Sequence, residues 1–457
     1  MKRIYLFSTV ASLMLLFSAC GDSWLDEMLP QTSAETEKSL NTLTEAEYAL
    51  NGIYSLYRNY EYYGARYTYY GDAKSEDMQA RGDSKRVARY YLFTHNAVNA
   101  PSGFWTYPYV AIRNANNIIA FTDRYTPTDA EKTRFDNIRG QALTMRAMSH
   151  FDLVKIYGMP YTKDNGASLG VPVVTEKMPN DAKPSRNTVA EVYVQVIKDL
   201  EEASGLISNK KNDGQLNWFA TRLLLARAYL YRNDNAKAYD VATDLLKKAE
   251  GTSFRLFTTA EYPKAWSEPT GPEYFYVIVN SAEEISDSKE FLSYLMHRSG
   301  YDDLSLSSDY IDLIDEDKND VRSTIINRYS ASAYRWYLWK YVSPDYQVSN
   351  MPILRISEAY LIAAEAAVKL GDRENAAEYL NYIVRRANPE KSVTAEDMTL
   401  ERVLKERRKE LVGEGHRLFD AMRNNQTIER KGKSHNSALL TDETRSFNWD
   451  FYKILLP

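Results

Sequence analysis

The sequence predicts a mainly α-helical protein: four antiparallel helix pairs of tetratricopeptide type wound into a right-handed superhelix, with a second, loop-rich face containing short strands. Three observations lead there. Between Pro352 and Ala387, the residues Ile353, Ile356, Tyr360, Ala363, Ala364, Ala367 and Leu370 recur at three- and four-residue steps as one apolar stripe. Gly371-Asp372 stops it, and Ala376, Ala377, Leu380, Ile383 and Val384 repeat it until Pro389. Small Ala residues where two helices meet across a short turn match a repeat of ~34 residues, and such a unit cannot bury its face alone. The same spacing returns in Leu225-Ala226-x-x-Tyr229, Asn233-Asp234 and Ala238. Finally, helical period is lost over residues 60–99 and 251–351, where aromatic residues collect.

Taken in order, Lys2-Arg3 precede an apolar run from Ile4 to Phe17 that closes on Ser18-Ala19-Cys20, the pattern of a signal peptide over residues 1–19. Cys20 is the only cysteine of the chain and cannot form an internal disulfide. Residues 20–457 are expected to form a single domain. A helix from Thr44, with Glu47 completing a capping box, carries Tyr48, Leu50, Ile53, Tyr54 and Tyr57 on one stripe. Tyr62, Tyr63, Tyr67, Tyr69 and Tyr70 follow no helical period and are expected on an exposed loop or short strand. Helical pairs are expected at about 104–157, 188–248, 352–387 and 400–424. Within the second loop-rich stretch, Glu273–Val279 and Tyr334–Tyr341 have the aromatic, β-branched character of strands.

Composition and motifs narrow the chemistry. With 457 residues, 44% apolar, there is chain enough for a large core, and a net charge of −5 gives no reason to expect nucleic acid as partner. The histidines at 95, 150, 297, 416 and 435 have no metal-ligand spacing, and no phosphate-binding glycine loop occurs, so neither a metal nor a cofactor is expected. Asp315-x-Asp317-x-Asn319 begins like a calcium loop, but Asp320 stands where that loop needs Gly and Ile326 where it needs Glu. Gly166-Ala167-Ser168-Leu169-Gly170 matches a nucleophile elbow, yet its flanks are polar on one side and Pro-containing on the other, where the elbow needs a strand and a helix. Glu410, Glu414, Arg417 and Asp420 fall on one helix face, where ion pairs locking the helix to its neighbours are the expectation. A glycosidase's carboxylate pair is defined by distance in space, so a secreted hydrolase stays open as an alternative.

Three linked segments carry a family resemblance: L-R-I-S-E-A-Y-L-I-A-A-E-A from Leu354, N-Y-I-V-R-R-A from Asn381, and E-R-R-K-E-L-V-G-E-G-H-R-L-F-D-A-M-R from Glu406. In this order they resemble the C-terminal signature of the SusD/RagB family, surface lipoproteins of nutrient uptake in Bacteroidetes. W-T-Y-P-Y-V-A-I-R-N-A-N-N-I-I from Trp105 and Asp320-Val-Arg322 are similar to the family as well. The resemblance implies a SusD-like fold without catalysis and capture of a poly- or oligosaccharide at the cell surface. It also implies delivery to a TonB-dependent, SusC-like outer-membrane β-barrel. Cys20 would carry the lipid, such as palmitate, that holds the protein on the outer membrane facing the exterior. Peptide capture, as in the RagB branch, is the alternative within the family.

A sugar offers C–H faces and hydroxyls, so its site needs flat aromatics rimmed by carboxylate, amide or guanidinium groups. The resemblance puts ligand contacts in the two loop-rich stretches. Candidates there are Tyr62, Tyr63, Tyr67, Tyr69 and Tyr70 with Arg66 and Asp72, and a later group, Trp266, Tyr294, Tyr301 and Trp336.

Overall fold

A computed structural model describes residues 40–82, 86–94, 102–179, 181–267, 270–281, 288–330, 335–341, 349–435 and 440–448. The apolar stripes fold as helices: α1 (Leu43–Arg58), α2 (Arg66–Ala73), α3 (Gly103–Arg124), α4 (Lys132–Tyr157), α5 (Val189–Ser204), α6 (Trp218–Tyr231), α7 (Asn235–Ala249), α8 (Ser308–Asp315), α9 (Ile356–Lys369), α10 (Arg373–Ala387), α11 (Leu400–Leu411) and α12 (Arg417–Arg423). Helix α3 packs on α4, α4 on α5, α6 on α7, α7 on α9 and α9 on α10, so the chain lays down one stack of helices as it proceeds. Gly371 takes φ +83° after α9, and Asp372 then caps α10 by accepting the Asn375 N–H at 3.1 Å, as the stop signal predicts.

Several boundaries differ from expectation, each for a local reason. The stretch 188–248, expected as one pair, holds three helices, and the break between α6 and α7 falls at the expected turn, with Asn233 at φ +63° and Asp234 as the cap of α7. The capping box of α1 is Thr42 with Glu45, two residues earlier than Thr44 with Glu47; starting there buries Leu43 and frees Glu47 to pair with Arg134 at 2.6 Å. Tyr48 points outward, 70% exposed. Residues Met351–Arg355 form a strand before α9, not its first turn. The V-G-E-G-H segment breaks the last helix between α11 and α12, with Gly413 and Gly415 at φ +80° and +82°. A side chain at Gly415 would meet the Thr68 carbonyl oxygen at 2.7 Å, so α2 and this elbow touch backbone to backbone.

Opposite the stack lie short antiparallel ribbons. Strand β1 (Met78–Ala80) pairs with β3 (Leu304–Leu306), β2 (Tyr274–Ile278) with β6 (Met351–Arg355), and β4 (Ile326–Ser330) with β5 (Arg335–Leu338). The later loop-rich stretch therefore has its expected strands, whereas the described part of the earlier one, 60–82 and 86–94, contains helix α2 as well as β1 and is largely interior.

Ion pairs bind the two faces together. Arg355, 1% exposed, sits where β6 meets α9 and reaches Glu273 at 2.7 Å, Glu414 at 2.7 Å and Glu410 at 3.3 Å. Glu273 also takes Arg386 at 3.1 Å, Glu414 takes Lys340 at 2.6 Å, and Arg322 joins Asp320 and Glu406, each at 2.7 Å. Arg417 pairs with Glu76 and Asp420 with Arg407 and Arg423, so all four charged residues of the 410–420 segment are structural locks, though across a broken helix. Asp315 is taken by Arg328 and Lys318 and Asp317 by Asn388; the calcium-like carboxylates diverge toward separate partners.

Candidate functional site

The first candidate group is corrected by its burial. Tyr62, Tyr63, Tyr67, Tyr69 and Tyr70 are all buried, and the hydroxyls of Tyr62, Tyr63 and Tyr67 all donate to the carboxylate of Asp152 on α4, the Tyr63 bond measuring 2.6 Å. Lys155 adds its ammonium to the same carboxylate at 3.1 Å. A carboxylate inside a core must be met by donors, and this one draws the tyrosine-rich segment inward. Tyr69 and Tyr70 pack edge-on against Tyr90, and Tyr70 accepts from Lys74 at 2.9 Å. Asp72 is buried too and accepts the Gly415 N–H at 2.7 Å; burial pushes its carboxyl up to about 8. Arg66, half-buried, is held by Glu61 and lies 5.1 Å from the Tyr60 ring. These residues shape the core and offer no free ring face.

The later group divides. Trp266 is enclosed between Tyr262, Tyr274 and the cations Lys340 and Arg355, which lie 4.7 and 5.0 Å from its ring. Trp336 is also buried. Tyr294 and Tyr301 remain at the surface, half-buried, as an edge-to-face pair with centroids 4.9 Å apart. Arg86, held by Glu290 at 2.8 Å, lies 3.8 Å from the Tyr301 ring. The turn between the two tyrosines places Arg298 4.6 Å from the ring of Tyr329 on β4. Tyr329 is 52% exposed and Trp339, just past β5, is 41% exposed. Between them in the β4–β5 ribbon lies Tyr337, buried, its ring 6.4 Å from that of Tyr329.

Neither Tyr329 nor Trp339 is among the residues expected from sequence. Trp336, Tyr337 and Leu338 are all buried within β5, and the ring that turns outward is Trp339, the first residue past the strand's end; the aromatic run itself does not say where the strand stops. On the loop-rich side Tyr294, Tyr301 and Tyr329 with Arg86, Glu290 and Arg298 supply ring faces and hydrogen-bonding rims, and Trp339, opposite Ile325 at the far end of the β4–β5 ribbon from Tyr329, adds a further exposed ring. A separate groove of about 330 Å³ runs between α3 and residues 172–184, lined by Trp105, Tyr109, Val174, Met178 and Pro184. Its walls are mostly apolar, which suits a hydroxyl-rich ligand less well.

Ser168 lies in an irregular turn, its hydroxyl donated to Asp164, with neither a preceding strand nor an immediately following helix. Among the described residues no three His, Cys, Asp or Glu side chains converge as metal ligands, and no helix is long and apolar enough to cross a membrane. Cys20 lies outside the described residues.

Comparison with known proteins places this arrangement. The model of the SusD family matches residues 298–454, and one described as starch-binding, associating with outer membrane, matches residues 23–230. A solved protein of Bacteroides vulgatus ATCC 8482 is 42% identical, with TM-score 0.88 over 92% of this chain and 96% of that one. A SusD superfamily protein of Bacteroides thetaiotaomicron VPI-5482 is 37% identical, with TM-score 0.86 over 91% and 96%. A SusD-like protein of Bacteroides ovatus is 24% identical over 240 residues, 50% of this chain and only 40% of that relative. With near-complete coverage at such identity, a matching helical architecture and both family models in place, the chain belongs to the SusD/RagB family.

Proposed function

We propose that this protein captures glycan at the outer membrane and hands it, unhydrolysed, to a TonB-dependent transporter. The observation that carries the reading is the set of outward aromatics, Tyr329 next to the turn between Tyr294 and Tyr301 and Trp339 farther along the β4–β5 ribbon, on the irregular face of a family whose model is described as starch-binding. Rings of this kind stack on sugar C–H faces, and Arg86 and Glu290 are placed to meet hydroxyls. Trp339→Ala and Tyr329→Ala should each weaken binding of the captured polysaccharide by about 1–3 kcal/mol by calorimetry, with melting unchanged, because both rings are largely outside the core. Unchanged affinity in both variants would place the site elsewhere.

The anchor in this reading is Cys20, whose acyl chains would supply membrane affinity. Cys20→Ala should shift the mature protein from the outer-membrane fraction to the soluble one. Unchanged fractionation would rule out the lipid anchor.

A further inference from the structure

We infer that the glycan taken by this face is anionic, carrying uronate or sulfate groups recognised by Arg298. This rests on the glycan-capture reading and names its ligand class. The turn that carries Arg298 is tightly specified. The Tyr301 N–H donates to the Tyr294 carbonyl at 3.1 Å, and the Gly300 N–H donates to the His297 carbonyl at 2.9 Å. The Ser299 N–H donates to His297 Nδ1 at 3.1 Å. A side chain at Gly300 would meet the Tyr294 carbonyl oxygen at 2.1 Å, so the loop has little latitude. Arg298 is thus held at the tip, exposed, with its guanidinium carbon 4.6 Å from the exposed ring of Tyr329.

The neighbouring arginines are already neutralised: Arg81 faces Asp302 at 3.7 Å, Arg86 holds Glu290 at 2.8 Å, and Arg328 holds Asp315. Among the described residues Arg298 faces a ring and no carboxylate. A guanidinium laid on an aromatic ring is oriented by it and keeps its N–H edge for a planar or tetrahedral oxyanion. The same Tyr329 is a stacking candidate, so one sugar residue could place a ring face and an acidic group on adjacent partners. An acidic peptide could supply the anion as well, but it has no use for the flat faces of Tyr329 and Trp339, and the glycan is favoured for that reason.

The test uses the mature protein with polygalacturonate, a sulfated carrageenan, neutral laminarin and poly-glutamate, at low and high salt, with wild type, Arg298→Gln and Arg298→Lys. Expected is tighter binding of the uronate or the sulfated polymer than of laminarin. Arg298→Gln should weaken that binding by about ten- to a hundredfold and flatten its salt dependence, with Arg298→Lys restoring it in part. Which of the two polymers responds identifies the group. Laminarin bound as tightly as either, with Arg298→Gln silent, would overturn the charge assignment and leave glycan capture standing. Binding of poly-glutamate alone, or of nothing, would remove both.

Discussion

Arg355→Met is expected to lower stability by about 3–5 kcal/mol, or to prevent folding, because it strips the shared cation from three buried carboxylates. The side chains of Glu273, Glu410 and Glu414 are each almost fully inaccessible and converge on that one guanidinium from the residue just before β2, from α11 and from the elbow after α11. The side-chain volume is nearly kept, so the loss is electrostatic. Arg355→Lys should recover part of it, since an ammonium cannot span three acceptors with the geometry of a planar fork. Acid should act on the same network. Burial alone would raise Glu410, but Arg386, Arg355 and Arg322 outweigh it and hold the carboxyl down at about 2; Glu414 is lowered in the same way by Arg355 and Lys340. In the pH range between those lowered values and about 4.5 the unfolded chain binds more protons than the folded one, so stability falls as pH drops through this window. Burial raises Glu273 and opposes the trend in part. A melting temperature that Arg355→Met leaves within two or three degrees of wild type, or that is flat between about pH 5 and 3, would contradict the account of how the two faces are joined.

Asp152→Ala is the second large effect, expected to cost about 3–5 kcal/mol. It orphans three phenol hydroxyls and leaves the Lys155 ammonium buried without its partner carboxylate. By contrast Tyr63→Phe removes one donor from a carboxylate that keeps two others and the ammonium, so it should cost about 1 kcal/mol. Glycan affinity of the Tyr63→Phe variant should match wild type, because that ring is inside the core. Chemical denaturation of the two variants gives the comparison; equal losses would mean that Asp152 is not the organising acceptor.

How much of this was legible in the sequence follows from which forces act locally. The stripe from Ile356 to Leu370, the left-handed Gly371 and the repeated Ala spacing are determined within a few residues of themselves, and the helices appear where the period puts them. The tyrosine-rich stretch was misplaced because its partner is about ninety residues away. Asp152 lies within S-H-F-D-L-V-K, a charged residue on the buried half of its helix, and such a residue asks for donors without saying where they will come from. The aromatic run before Tyr341 is strand as its composition indicates, but where it stops is set by pairing with β4, so Trp336 is buried within it and Trp339, past its end, is exposed. The helix break at Gly413 to Gly415 depends on the close approach of Thr68, again distant in sequence. Arg298 owes its prominence to the absence of a carboxylate among its described neighbours, a relation visible only in three dimensions.

In the proposed function this protein binds polysaccharide through the outward aromatics without cleaving it. The most direct measurement is affinity electrophoresis of the purified mature protein through gels containing single soluble polysaccharides, neutral and acidic, with reducing ends assayed after overnight incubation. Retardation is expected in at least one gel, lost in the Trp339→Ala, Tyr329→Ala double variant, with no release of reducing ends. Free migration in every gel, or retardation that the double variant leaves intact, or cleavage of the bound polymer, would contradict it.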